Sequence, residues 1–137
     1  MELSAEQREL LESETVAHIA TIMPDGSPHS VPVWVGYDGT HVLTAGGREH
    51  QRHANVERDP RVALSVVDLE NPYRSLSIRG EVVEMAEDGG LEFLNRKARQ
   101  HWDTDEYPFE RGKDRYLLKI EPQSVVDSSS TRPADAE

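Results

Sequence analysis

Short apolar segments joined by tight turns constrain the fold of this chain more than any other feature of its sequence. Three such segments fall within the first 45 residues, at 15–23, 29–37 and 41–45. The turn sequence Pro24-Asp25-Gly26-Ser27 separates the first two, and Asp38-Gly39 separates the next two. Such turns join antiparallel strands, whereas parallel strands need a crossover of about a dozen residues or more. The N-terminal third therefore predicts an antiparallel meander and excludes a parallel βαβ architecture.

The remainder of the chain adds strands and a few helices. Strands are expected at 61–68, 74–85 and 115–120, with 125–126 as a short extension of the last. Helices are expected at 4–12, where Ser4 and Gln7 form a capping-box pattern, and at 48–58 and 88–101. Six strands, mostly antiparallel, with two or three short helices are typical of a small β-barrel, so the predicted fold class is mainly β.

The 137 residues correspond to one domain. We expect the barrel to occupy residues 1–127, because residues 128–137 have the composition of a disordered acidic tail. No apolar run approaches the ~18 residues of a membrane span, and the first residues do not resemble a secretory signal. A cytoplasmic location is therefore expected.

The charge balance excludes several classes of partner. There are 26 acidic and 15 basic side chains, for a net charge of −11. Such a chain repels phosphate backbones and anionic lipids, so neither nucleic-acid binding nor membrane docking is expected. Only three of the basic residues are lysines. Two explanations stay open: adaptation to concentrated salt, and the arginine-rich codon usage of a high-GC genome.

Several common catalytic and metal-binding patterns are missing. The chain has no cysteine, which excludes disulfides, thiolate nucleophiles and iron–sulfur clusters. His50 and His53 are spaced i, i+3 beside Glu49, but a zinc site needs further ligands, and we predict no metal. The Asp25-Gly26-Ser27 sequence lies in a hairpin turn rather than in the strand–turn–helix setting of a hydrolase nucleophile.

One segment combines glycine with clustered basic residues. Gly46-Gly47 follows a predicted strand and precedes Arg48, His50 and Arg52 at the start of a predicted helix. Helix N-terminal amides and guanidinium groups both bind phosphate, so the segment is a candidate anion site. The alternative interpretation is a strand exit followed by a solvated helix face.

The order and spacing of several short motifs resemble the pyridoxamine 5′-phosphate oxidase-like family over about residues 4–126. The motifs are Ile19-Ala20-Thr21, Pro24-Asp25-Gly26-Ser27-Pro28-His29, Pro32-Val33-Trp34 and Arg52-x-x-Asn55-x-x-x-Asp59-Pro60-Arg61-Val62. Asn71-Pro72-Tyr73-Arg74 followed by Arg79-Gly80 resembles, more narrowly, the F420-dependent oxidoreductases, the flavin/deazaflavin oxidoreductases of type B.

This resemblance implies a split β-barrel of the FMN-binding type. It also implies a homodimer with coenzyme F420, or alternatively FMN, in clefts between the subunits. The cofactor phosphate would meet residues 44–55, where Arg52 replaces the lysine usual in the family. The loop at 102–114 and the partner subunit would line the substrate pocket. The implied cofactor-binding residues are Pro32, Val33, Trp34, Thr44, Arg48, His50, Arg52 and Asn55. Trp34 is equally well interpreted as a core or interface aromatic.

The predicted function is hydride transfer from F420 to an electron-poor small-molecule acceptor, with the cofactor supplying the chemistry. An FMN-dependent enzyme, either pyridoxamine phosphate oxidase-like or a flavin oxidoreductase, is the first alternative. The second is a cofactor-binding protein without turnover. The sequence identifies no catalytic residue: Tyr73, Tyr116 and His29 are polar candidates for a proton donor, and solvent is another.

Overall fold

The computed structural model describes residues 1–109 and 115–129, and these form three helices and seven strands. The helices are α1 (Ala5–Glu12), α2 (Gln51–Arg58) and α3 (Gly90–Trp102). The strands are β1 (Ala17–Ile22), β2 (Pro28–Val33), β3 (Gly36–Tyr37), β4 (Val42–Gly46), β5 (Arg61–Val67), β6 (Arg74–Ala86) and β7 (Tyr116–Ser129).

Local sequence signals set the helix ends. The capping box predicted for α1 is present: the Ser4 hydroxyl accepts a hydrogen bond from the Gln7 amide at 3.2 Å, and the Ser4 amide donates to Gln7 Oε1 at 2.9 Å. Helix α2 begins at Gln51, three residues later than predicted, because the preceding residues form a turn. In that turn the His50 amide donates to the Gly47 carbonyl at 3.1 Å.

All seven strands belong to one antiparallel sheet, ordered β2-β1-β5-β6-β7-β4-β3. In a flat sheet of this order the outer strands would lie roughly 29 Å apart, at about 4.8 Å per strand. Yet β2 ends at Val33 and β3 starts at Gly36, a step that spans at most about 11 Å. The sheet must therefore curl until its two edges approach each other, which confirms the predicted split β-barrel.

The predicted number of strands is wrong by one. The segment 29–37 was expected to be one strand, but it divides at Trp34 and Val35. Val33 pairs with Ala17 on one edge of the sheet, whereas Gly36 pairs with Leu43 on the other. The chain crosses the split of the barrel at this point, so it cannot keep a single pairing partner.

Strands β6 and β7 form the longest pair, and their register shifts at two points, next to Gly80 and again between Val82 and Glu84. A Cβ on Gly80 would lie 2.1 Å from the Glu121 carbonyl oxygen, so this close approach of backbones requires glycine. Strand β7 continues to Ser129, two residues into the segment expected to be a disordered tail. The rest of that segment lies outside the described residues.

The core has two parts. The larger fills the barrel with residues that alternate along the strands, among them Ile19, Leu64, Ile78 and Ile120, and is closed by Leu11 of α1. The smaller lies under α3, where the buried Phe93 and Leu94 pack against Leu43 and Ala45 of β4, with Trp34, Tyr107 and Leu117 alongside. Helix α3 thus covers β4 close to the split of the barrel.

Candidate functional site

A cavity of about 280 Å³ lies at the split of the barrel. Its wall comes from the end of β2, the end of β4, the start of α2, helix α3 and the residue before β7. The lining residues are Val16, Pro32, Val33, Trp34, Ala45, Gly46, His50, Arg52, Phe93, Leu94, Trp102, Tyr107 and Arg115. None of these described lining residues is acidic, although the chain carries a net charge of −11.

One end of the cavity is aromatic. The Trp34 ring stacks on His101 with centroids 5.1 Å apart and an angle of 14° between the planes. It also meets Trp102 and Tyr107 edge to face, at 4.6 and 5.8 Å. The Tyr107 amide donates to Asn95 Oδ1 at 2.8 Å, which ties the loop after α3 back to the helix. This end presents a broad apolar wall of ring faces and edges.

The other end is cationic, and Gly46 and Gly47 leave the space that its arginine side chains occupy. The Arg52 guanidinium lies over Gly46, 2.8 Å from the place a Cβ would occupy, and donates to the Ala45 carbonyl at 2.9 Å. The Arg115 guanidinium lies over Gly47, 2.7 Å from the corresponding place. A side chain at either glycine would therefore displace an arginine. The two guanidiniums reach this end from α2 and from the residue before β7.

Glu49 and His50 lie next to Arg115 at the cationic end. Arg115 Nη1 donates to Glu49 Oε1 at 3.2 Å, and His50 Nε2 lies 3.7 Å from the same carboxylate. The Gly47 amide donates to His50 Nδ1 at 3.2 Å, which fixes the orientation of the ring. The Arg115 side chain is only 4% exposed, so its charge is withdrawn from solvent.

Five of the eight predicted cofactor-binding residues line the cavity: Pro32, Val33, Trp34, His50 and Arg52.

The other three predicted residues, Thr44, Arg48 and Asn55, lie outside the lining. Buried Thr44 donates its hydroxyl to the Trp34 carbonyl at 2.8 Å, which fastens the crossing segment to β4. Arg48 turns away, and its Nε donates to the Tyr116 hydroxyl at 2.7 Å. Buried Asn55 donates to Thr21 Oγ1 at 2.9 Å, so it ties α2 to β1.

Sequence reasoning missed Arg115, Phe93 and Leu94. Arg115 is the first residue of the strand expected at 115–120, and Phe93 and Leu94 fall within the helix expected at 88–101. No local sequence signal identifies Arg115, because its place over Gly47 depends on the pairing of β7 with β4. Trp102 and Tyr107 fall in the segment 102–114 that was expected to be a loop lining a substrate pocket, and both line the cavity, although Trp102 is the last residue of α3.

Burial depresses the pKa of two basic groups on α3. Burial lowers the pKa of Lys97 to about 8, with the nearby Arg96 charge adding to this effect and the Glu12 carboxylate opposing it. Burial, together with the charge of Lys97, also lowers the pKa of His101, against a smaller opposing effect of Glu14. The lowered pKa favours the neutral form of His101 at pH 7, the form that stacks on Trp34 without a charge.

None of the three polar candidates for a proton donor lines the cavity. Tyr73 is half exposed in the loop before β6, and the hydroxyl of Tyr116 accepts the hydrogen bond from Arg48. His29 lies on β2 with its Nδ1 buried.

In the described part of the chain, no group of three or more acidic or histidine side chains is arranged to hold a metal ion. Within those same residues, no helix has the length and apolar character needed to cross a membrane.

Comparisons with known proteins agree with this architecture. A solved structure described as an F420 reductase is similar over 87% of this chain and 94% of its own, with 30% sequence identity and a TM-score of 0.77. An FMN-binding protein of Nitratidesulfovibrio vulgaris is 40% identical over 62 residues, or 42% of this chain. The chain spans about half the length of that relative. General Stress Protein 26 of Bacillus anthracis shares the fold, with a TM-score of 0.65, 18% identity and coverage of 87% of this chain and 88% of its own.

The family model described as pyridoxamine 5′-phosphate oxidase matches residues 3–128. This match covers all but a few of the described residues and confirms the family resemblance found in the sequence motifs. The chain belongs to the pyridoxamine 5′-phosphate oxidase family.

Proposed function

We propose that this protein is an oxidoreductase that holds a flavin-type cofactor in the cavity at the barrel split. The observation that carries the proposal is the two-ended lining, with aromatic and apolar walls at one end and Arg52, Arg115 and His50 at the other. A planar ring bearing a phosphate fits both ends. The ring would be desolvated by Trp34 and Phe93, and the phosphate would take charge-assisted hydrogen bonds from the two guanidiniums.

The residues of the chain would bind, orient and shield this cofactor. Arg52 is held in place before binding by its hydrogen bond to the Ala45 carbonyl. Preorganised donors of this kind lose little entropy when a ligand binds. When bound, a cofactor of this class supplies hydride transfer to an electron-poor small molecule. A proton for the product can come from solvent.

Coenzyme F420 is our first choice of cofactor, and FMN is the alternative. Support for F420 comes from the solved F420 reductase, which is 30% identical over 87% of this chain. Support for FMN comes from the FMN-binding relative, whose match covers 42% of this chain. F420 carries an anionic oligoglutamate tail, and exposed charges that lie more than about 8 Å apart are screened at physiological ionic strength. The affinity of the protein for F420 should therefore fall more steeply than its affinity for FMN as salt is added.

The test is to purify the protein, record its absorbance, and titrate it with F420 and FMN at low and high salt. The quenching of Trp34 and Trp102 fluorescence reports binding. Tighter binding of F420 at low salt, with the steeper salt dependence, supports the deazaflavin assignment. Tighter binding of FMN at every salt concentration replaces it with the FMN assignment, and no binding of either cofactor refutes the proposal.

A cofactor-binding protein without turnover is the remaining alternative. It is separated from an enzyme by mixing the protein, loaded with reduced cofactor, with small molecules that contain activated double bonds. Reoxidation of the cofactor faster than in protein-free solution supports an enzyme. Binding without any such acceleration supports a sequestering protein.

We further propose that two copies of the chain form a homodimer that completes the site. The cavity of about 280 Å³ is slightly smaller than ligand pockets of about 300–1,000 Å³. Two aromatic side chains near it are also exposed, Trp102 by 49% and Phe109 by 55%. A second subunit would enlarge the wall and cover these rings. Light scattering at micromolar concentration should give a dimer, and a monomer that binds cofactor normally would contradict a shared site.

A further inference from the structure

Glu49 places a carboxylate at the cationic end of the cavity. Its oxygens lie 2.3 and 2.6 Å from the place a Cβ would occupy on Gly47, and Arg115 Nη1 lies 2.7 Å from that place. The carboxylate and the guanidinium therefore meet directly over Gly47, where they form the 3.2 Å hydrogen bond. The same carboxylate lies 3.7 Å from His50 Nε2.

This contact joins a buried cation to a more exposed anion. The Arg115 side chain is 4% exposed and the Glu49 side chain 35%. Removing a guanidinium from water costs free energy unless an anion and hydrogen bonds compensate it. Glu49 supplies that compensation, and its exposure leaves room for the carboxylate to rotate toward solvent. Arg115 and His50 also line the cavity, so the donors that Glu49 engages are the donors that a ligand anion would use.

We propose that Glu49 is an internal competitor for the anion subsite and limits the affinity of the site for phosphate-bearing ligands. The inference rests on the proposed cofactor function and adds a specificity-determining residue to it. A ligand phosphate must displace the Glu49 carboxylate from Arg115, and the free energy of this displacement weakens the binding of the ligand. A ring without a phosphate does not meet this competition. Glu49 therefore affects only the phosphate contribution to binding.

An opposite role for Glu49 is distinguishable. If the carboxylate only positioned Arg115, its removal would leave the guanidinium misplaced, and phosphate ligands would bind more weakly. If it competes, its removal strengthens their binding. The sign of the change in affinity therefore separates positioning from competition.

The experiment compares wild type with Glu49→Gln, which keeps the shape of the side chain and an oxygen that can accept from Arg115 but removes the charge. We expect the Kd for FMN to fall about tenfold, the order of one charge-assisted hydrogen bond. The Kd for riboflavin, which lacks the phosphate, should stay within about twofold, because a neutral ring meets no competing anion. If the wild type binds F420 but not FMN, the same comparison is made between F420 and its deazaflavin ring without the phosphate.

A general loss of negative charge must be controlled. Glu2→Gln serves this purpose, because the Glu2 side chain is 83% exposed at the N-terminus. It removes the same charge as the Glu49 variant, and its cofactor affinity should equal that of wild type. Glu49→Ala is the second variant, and it should change FMN affinity in the same direction. Thermal melting of each variant verifies that it is folded.

Inorganic phosphate provides a readout that does not depend on the ring. It should bind Glu49→Gln more tightly than wild type, as followed by tryptophan fluorescence. Equal or weaker binding of FMN and phosphate by the variant would overturn the inference, as would an equal gain for riboflavin. If no cofactor binds any form of the protein, the proposed function fails, and the phosphate titration still decides the role of Glu49.

Discussion

Lys97 provides a test of how burial controls the stability of this fold. Its side chain is fully buried on α3, with Nζ 3.1 Å from Gln100 Oε1 and 3.9 Å from Glu12 Oε2. Burial lowers its pKa from 10.5 to about 8. At about 1.4 kcal/mol per pKa unit, this difference corresponds to about 3 kcal/mol of unfolding free energy.

The sign of the pH dependence follows from the two pKa values. Folded Lys97 loses its proton near pH 8, whereas in the unfolded chain it keeps the proton to about pH 10.5. Between these values the unfolded state binds more protons, so this residue makes the protein more stable as pH rises. Below pH 8 both states are protonated, and the full penalty for burying the charge is present.

The substitution Lys97→Met removes the charge while keeping a long, unbranched side chain. The Glu12 carboxylate retains Arg96 at 2.9 Å and the Tyr37 amide at 2.5 Å, so it is not left without partners. After subtracting the lost hydrogen bond to Gln100, we expect the variant to be about 1–3 kcal/mol more stable than wild type at pH 7. That advantage should shrink as pH rises from 8 to 10.5.

The assay is urea unfolding followed by circular dichroism at several pH values between 7 and 10.5. The difference between wild type and variant isolates Lys97 from other groups that titrate in this range. Lys119→Met is the matched control for the loss of one lysine, because the Lys119 side chain is 28% exposed and pairs with Glu84 at 3.6 Å. A difference independent of pH would refute the argument. So would a variant less stable than wild type at pH 7, because the ion pair with Glu12 would then outweigh desolvation.

Two further substitutions test the site and the sheet. Arg52→Ala should weaken cofactor binding by about 1.5–3 kcal/mol, the scale of a hydrogen bond to a charged group, when measured by fluorescence titration. Arg61→Ala, at a position 68% exposed on β5, is its control, and equal affinities for the two variants would place the phosphate elsewhere. Gly80→Ala should lower the free energy of unfolding by about 2 kcal/mol or more, because its Cβ would meet the Glu121 carbonyl. If the urea midpoint of Gly80→Ala equals that of wild type, β6 and β7 can move apart at this point without loss of stability, and the argument is wrong.

The family of the protein and most of its strands could be predicted from local signals. Turn sequences such as Pro24-Asp25-Gly26-Ser27 act over a few residues, and the β1–β2 hairpin follows from them directly. The same holds for the capping box of α1. Arg52 and His50, which cluster after a glycine pair in the sequence, both lie at one end of the cavity. Each of these features depends on residues that are close together in the chain, so it can be predicted from the sequence alone.

The remaining features depended on contacts between distant segments. Apolar periodicity indicates which face of a strand is buried, but not which strand it pairs with. The division of the segment 29–37 at Trp34 depends on its two halves pairing at opposite edges of the sheet, β2 with β1 and β3 with β4.

The directions of polar side chains were decided in the same way. Asn55 and Arg52 lie on the same short helix, yet Asn55 turns to Thr21 in the interior while Arg52 turns to Ala45 at the cavity. Arg115 joins the site because β7 pairs with β4, which brings its guanidinium over Gly47. The sequence by itself determined most of the strands, the net charge and the chemical types of side chain available to a site. The tertiary structure decided which side chains meet there, because antiparallel pairing between distant strands sets the distances between them.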